Sequence, residues 1–140
     1  MENITISSFK FDGFKITKSY FEMNEIVEGN LTFTIGFAPK GLINEKTSTF
    51  KLELVVNIED EDKKFKANIT AVASYTYDSN IQAENLDKFF YINAPAILFP
   101  YIRAYISSLT TLSGLNPITL PTLNLSNLGE ELKKNTVIEK

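Results

Sequence analysis

The stretch from Phe50 to Tyr77, FKLELVVNIEDEDKKFKANITAVASYTY, decides how the chain is read. Apolar residues occupy every second position: Phe50, Leu52, Leu54, Val56 and Ile58, then Phe65, Ala67, Ile69, Ala71, Ala73, Tyr75 and Tyr77. A period of two places those side chains on one side of an extended backbone, the pattern of a strand with one buried and one wet face. The charged run from Glu59 to Lys64 joins the two halves, which predicts a hairpin with a solvated tip.

Upstream the same alternation occurs twice more. Phe9 and Phe11 are followed by Phe14 and Ile16, with parity slipping by one at Asp12-Gly13, which predicts one long strand carrying a bulge. Leu31, Phe33, Ile35 and Phe37 predict another strand, opened by Glu28-Gly29-Asn30 and closed by Pro39-Lys40-Gly41. Downstream, from Asn93, the period changes. Ile97, Tyr101, Ala104 and Ser108, beside Leu98, Ile102, Tyr105, Leu109 and Leu112, form adjacent stripes at helical spacing. Gly114 suits the helix end, and Pro100 predicts a kink or a restart inside it. The segment LNPITLPTLNL, Leu115 to Leu125, holds Pro117 and Pro121 and can be neither a central strand nor a regular helix. It is expected to form an extended apolar strut. Ser126 is the expected cap of a short final helix through Leu128, Glu131 and Leu132, followed by a fraying Lys-rich end. Strands first and helices after give an α+β fold: a four-stranded antiparallel sheet with one long and one short C-terminal helix on one face, in a single domain over residues 1–140.

Composition narrows the function. The 140 residues include no His and no Cys, which removes the imidazole base, the thiolate nucleophile and the usual zinc ligands. A net charge of -3, well mixed along the chain, gives no field for nucleic acid. No Gly-rich phosphate loop is present and no cofactor is expected. The opening MENITISSFKFDGF has no apolar core of a secretory signal, so a cytoplasmic location is expected. The longest apolar stretch, Ala94 to Ile102, contains two prolines and is far shorter than the roughly 20 residues that span a bilayer, so membrane insertion is not expected. The best candidate for an enzymatic or Ca²⁺ site is Glu59, Asp60, Glu61 and Asp62, but Lys63 and Lys64 follow directly and a solvated turn accounts for the cluster. The expectation is a protein that is not an enzyme.

Two apolar surfaces exceed what the chain can shelter. The helix is apolar nearly all round, and 140 residues offer too little material to wrap it, so its second side is expected to meet a copy of itself through Tyr101, Ile102, Tyr105 and Leu109. The strut presents Leu115, Ile118, Leu120, Leu123 and Leu125. It either lies flat over the core or forms one wall of a groove.

The segment NAPAILFPYIRAYISSLTTLSGLNPITLPTLNL, Asn93 to Leu125, resembles the signature region of the SecB family of protein-export chaperones. Pro95, Leu98, Phe99, Pro100, Tyr101 and Arg103 match the family's helix start, and Gly114, Pro117, Leu120, Pro121 and Asn124 match its Gly and Leu-Pro strut. FKFDGFKITKSYFE resembles the family's first strand, through Phe9, Phe11, Phe14 and Phe21-Glu22. The resemblance implies a dimer of dimers, a homotetramer joined through the long helices. It also implies an ATP-independent holdase that binds unfolded or nascent polypeptides and hands them to the translocase motor SecA. The client groove expected on this basis takes Ile118, Leu120, Leu123 and Leu125 from the strut, with the aromatics Phe37, Phe90 and Tyr91. The family's acidic, SecA-facing positions are matched here by Lys18, Glu22, Lys66 and Asn68, of which only Glu22 is a carboxylate, so weaker docking is expected. The alternatives are a SecB-like chaperone of a toxin-antitoxin system, whose partner is an antitoxin, and a dedicated adaptor subunit for one folded target.

Overall fold

A computed structural model describes residues 8–23 and 32–140; the expected opening turn Glu28-Gly29-Asn30 and Leu31 lie outside them. Strands β1 (Phe9–Met23), β2 (Phe33–Asn44), β3 (Thr49–Asp60) and β4 (Phe65–Tyr77) are joined in antiparallel pairs, and a further strand β5 (Thr136–Glu139) completes a sheet of order β1-β4-β3-β2-β5.

The period-two stripes face one way. Leu52, Leu54, Val56 and Ile58 of β3 and Ile69, Ala71 and Ala73 of β4 have no exposed surface, while Lys51, Asn57 and Lys66 between them are exposed. The hairpin tip turns inward at one residue. Asp60 is buried and its Oδ1 accepts the Phe65 N–H at 2.8 Å, so part of the acidic cluster caps the turn. In β1 the pairing slips between Phe11 and Gly13, as the parity predicts, with Gly13 at φ +132°. A second slip between Ile16 and Lys18 leaves Thr17 as the extra residue and returns Ser19, Phe21 and Met23 to the inner face.

Three expectations about element boundaries are corrected. Strand β2 does not close at Pro39-Lys40-Gly41 but runs through it to Asn44. Odd residues of β2 turn their backbone groups away from β3, as Gly41 does in donating to Asn135 O, so the donor that Pro39 lacks is one β3 never needed. The helical path starts at Ala83, not Asn93. Helix α1 (Ala83–Lys88) runs through a π-turn (Phe89–Asn93) into helix α2 (Ala94–Leu112), and the wider turn breaks the 3.6-residue pattern that would have announced it. Helix α2 neither stops nor restarts at Pro100, which sits on its exposed side.

The sheet is five-stranded and mixed rather than four-stranded and antiparallel. Thr136, Val137 and Ile138 are β-branched, and they pair in parallel with Gly41 to Asn44 where a fraying end was expected. A Cβ on Gly41 would stand 2.5 Å from Thr136 Oγ1 and 2.9 Å from the Phe50 ring, so only glycine admits this contact. Helix α3 (Gly129–Lys134) leads into β5 and follows a 3₁₀ turn (Leu125–Leu128), capped by the Asn124 side chain on Ser126 N–H rather than by Ser126.

Helix α2 lies along the inner face of the sheet. At its start an aromatic cluster fixes it: Phe9 stacks on Tyr75 at 4.9 Å and on Phe89 at 5.2 Å, Phe50 stacks on Phe90 at 4.7 Å, and Tyr75 Oη donates to Ala94 O at 2.7 Å. Leu98, Ile102 and Ile106 complete the core beneath it.

Candidate functional site

Helix α2 ends in a Schellman turn. Gly114, at φ +85°, donates to Thr111 O, and Leu115 N donates to Thr110 O, which reverses the chain. The strut then runs back along α2 and is held by side chains, because its prolines and extended form leave no ladder. Ile118 is gripped on both sides: its N–H donates to Thr110 Oγ1 at 2.9 Å, and its O accepts from Ser107 Oγ at 3.0 Å. Further along, Arg103 Nη1 donates to Thr122 Oγ1 at 3.1 Å.

The extended backbone sends alternate side chains to opposite sides. Ile118 and Leu120 turn into the core, whereas Pro121 is exposed and Leu123 half-buried; Leu125, of the outer parity, is buried where the 3₁₀ turn begins and forms part of the cleft wall. Between this outer side and the stripe Phe33, Ile35, Phe37 of β2 lies a cleft of about 440 Å³, whose far end is formed by Leu128 and the two amides Asn124 and Asn127. Among the described residues no charged side chain lines it. Phe37 is braced edge-on by Phe99 of α2 at 5.7 Å, and Phe33 by Phe65 of β4 at 5.7 Å, so the aromatic wall is held in place from behind.

Of the expected groove residues, the structure brings Phe37, Leu123 and Leu125 together at this cleft. Ile118 and Leu120 belong to the strut but are spent on the core, at 8% and 2% exposure. Phe90 and Tyr91 are corrected: both are buried in the aromatic cluster at the start of α2, Phe90 between Phe50 and Tyr77 and Tyr91 against Gly129. Their place in the π-turn, one residue apart on the chain, turns both inward. Phe33, Ile35 and Leu128 were missed as lining residues, although Phe33 and Ile35 share the parity of Phe37 and that signal alone identifies them.

On the outward side of α2, Ile102 is corrected in the same way. It has no exposed surface and faces the chain's own sheet. Tyr105 is half-buried, its hydroxyl donating to Ser19 Oγ at 2.8 Å, and Leu109 is half-buried as well; Tyr101, 44% exposed, packs on Phe11 and Phe14. The exposed stripe is Ala96, Pro100, Ala104 and Ser108, small residues one turn apart, with Leu112 beyond them.

Lys18, Asn68, Glu22 and Lys66 do share the sheet's outer face, where Lys18 pairs with Thr70, Tyr20 with Asn68 and Glu22 with Lys66. Glu22 accepts a hydrogen bond from the Tyr20 hydroxyl, and Lys66 stands between Glu22 and Glu59. Among the described residues no three acidic side chains converge as a metal site would require, and no helix is long and apolar enough to cross a membrane.

The family profile described as Preprotein translocase subunit SecB matches residues 17–135. A Protein-export protein SecB from Anaplasma phagocytophilum is 32% identical over 97 residues, which cover 65% of this chain and 61% of that protein, so the match spans less than two thirds of the relative's length. An uncharacterized protein of Methanocaldococcus jannaschii is 28% identical over 139 residues, covering 92% of this chain and 90% of the other. Among solved structures, a Mycobacterium tuberculosis SecB-like chaperone in complex with a ChAD peptide from the HigA1 antitoxin superposes with a TM-score of 0.67, at 20% identity, over 83% of this chain and 88% of that one. The helix, the reversal at Gly114 and the two-proline strut all lie within the stretch that the family profile covers, and the chain is a member of the SecB family.

Proposed function

We propose that the protein is an ATP-independent holdase that keeps unfolded or nascent polypeptides from aggregating by binding their apolar side chains in the cleft beside β2. The observation that carries this reading is the cleft itself. Phe33, Ile35, Phe37, Leu123 and Leu128 leave apolar surface open, with amides at its rim and, among the described residues, no charge. Burial yields about 25 cal/mol per Å² of apolar area whatever the order of residues, so such a surface binds many sequences weakly and none exclusively. Membership of the SecB family, and the peptide bound by the Mycobacterium tuberculosis relative, support a polypeptide as the ligand. No step calls for a nucleotide or for covalent chemistry.

The working form in this reading is a cytoplasmic tetramer, with long helices meeting along Ala96, Pro100, Ala104 and Ser108, where small side chains allow close approach. The test is light scattering of a chemically denatured client diluted into buffer without nucleotide. Suppression at stoichiometric tetramer, lost in Leu123→Asp, supports the reading, and aggregation that proceeds unchanged overturns it.

The outer face favours a second reading of what the client is for. With Lys18, Lys66 and Asn68 beside a single carboxylate at Glu22, attraction to a basic motor surface is weak, which favours a dedicated client such as an antitoxin over delivery to SecA. The discriminating measurement is SecA affinity at low salt, beside the double variant Lys18→Glu, Lys66→Glu. Tight, salt-sensitive binding by the unmodified protein would restore the export role.

A further inference from the structure

We propose that the outer face of the sheet carries a second binding surface, a cationic hollow at the β1 bulge that docks an acidic segment of a protein partner. The hollow lies across the sheet from the cleft beside β2, so this goes beyond the holdase reading and does not depend on it.

The bulge makes the hollow. The slip between Phe11 and Gly13 leaves Asp12 as the extra residue of β1 and sets Gly13 opposite Ser74 of β4. Gly13 has no side chain to fill the space above Ser74, and a Cβ placed there would meet no atom within 4 Å. The result is an opening of about 370 Å³ floored by Val72 and Ser74, with Lys15 of β1 on one side and Lys51 of β3 on the other.

The two ammonium groups at this hollow are uncommitted. Among the described residues, neither Lys15 nor Lys51 has an ion-pair or hydrogen-bond partner, and both are exposed. Asp12 also reaches the rim, but its carboxylate is engaged: Oδ2 accepts from Thr76 Oγ1 at 2.5 Å and Oδ1 stands 3.8 Å from Lys10 Nζ. Lys18, the next outward residue of β1 to pair, continues the positive edge beside Thr70.

Elsewhere on the outer face lysines and carboxylates alternate. Lys40 of β2 pairs with Glu53 of β3, and Lys66 of β4 lies between Glu22 and Glu59. The excess of positive charge is therefore confined to the bulge end, where Lys51 pairs with Ser74 and Leu42 and Lys15 with Val72. A surface of one sign attracts a partner of the other and sets its orientation.

The geometry points to a polypeptide. With strands about 4.8 Å apart and a rise of about 3.3 Å per residue, Lys15 and Lys51 are rooted about 12 Å from each other across β4. Two carboxylates three or four residues apart on an extended segment match that interval. The half-buried Ser74 hydroxyl, between them, can donate to a third acceptor. Nucleic acid fits less well. A phosphate chain leaving the hollow along the sheet meets Glu53, Glu59 and Glu22, and a few lysines on a chain of net charge -3 release too few counterions to hold it.

The test is fluorescence anisotropy of the full chain with a labelled peptide of about ten residues alternating Asp with Ser, its neutral counterpart alternating Asn with Ser, and an oligothymidine of equal charge. The Asp peptide is expected to bind, and to bind about tenfold more weakly to Lys15→Gln, Lys51→Gln, with little change in Lys88→Gln, Lys134→Gln, which removes the same charge from exposed sites elsewhere. Without any substitution, raising salt from about 0.01 M to about 0.15 M shortens the screening length from about 30 Å to about 8 Å and is expected to weaken binding by a similar factor. Leu123→Asp is expected to leave the affinity unchanged; a loss there places the peptide in the cleft and overturns a second surface. Equal binding of the Asp and Asn peptides, equal loss in the two lysine pairs, or no binding at low salt overturns the proposal. Tighter binding of the oligothymidine than of the Asp peptide overturns the protein partner in favour of nucleic acid.

Discussion

Tyr75 shows how much one side chain can be asked to do. Its ring joins Phe9 and Phe50 in the core, and its hydroxyl reaches the Ala94 carbonyl at the head of α2, where the next residue is a proline. Burial pushes its phenol well above the ordinary value near 10. Since the neutral form is the one the fold prefers, its contribution is complete below about pH 10 and is lost as pH climbs from there toward the raised value. Burial raises Tyr91 and Tyr77 as well, so alkaline unfolding has several contributors. Tyr75→Phe is expected to lower stability at pH 7 by about 1 kcal/mol and to flatten the loss of stability above about pH 10. Urea melts at a series of pH values check both. Thr110 is equally exposed to test, being fully buried with its hydroxyl between Ile106 O and Ile118 N. Thr110→Val keeps the volume and strands the Ile118 N–H, an expected loss of about 1–3 kcal/mol by chemical denaturation.

Among the elements, those with unbroken periodicity were legible and those set by a few contacts were not. Strands β3 and β4 announce themselves because every second residue is apolar over their whole length, and the bulge at Asp12-Gly13 shows as a slip of parity. The start of the helical path is hidden because the π-turn shifts Phe89, Phe90 and Tyr91 out of phase, and α1 buries nothing. The same shift sent Phe90 and Tyr91 to the wrong place in the site. Strand β5 is only four residues long, too short for a pattern, and what makes it pair is a distant residue, Gly41. Gly41→Val is expected to drive β5 off the sheet. The cost is about 1–3 kcal/mol for the clash, together with new protease cleavage near Thr136, read by mass spectrometry after limited digestion. The strut was legible as extended and apolar, but which of its residues face out follows from the grip of α2 on Ile118, and no spacing reveals that.

The described residues leave two apolar surfaces uncovered, one beside β2 and one along α2, at separate places on the chain. Because they are separate, association and client binding can be disabled independently. Ala104→Asp puts a charge in the middle of the exposed small-residue stripe, and light scattering is expected to show a smaller particle whose melting temperature shifts by no more than a surface change would cause. An unchanged mass would remove the long helices from the assembly. The order of the strands has a consequence of another kind. Phe9 pairs with Tyr77, so the first strand finds its neighbour only after the fourth has been made. At synthesis rates of about 5–20 residues per second, that leaves several seconds of translation during which the Phe-rich N-terminal stretch is a bare segment on the ribosome. A newly made copy of this protein therefore passes through the same state as the chains it is proposed to hold.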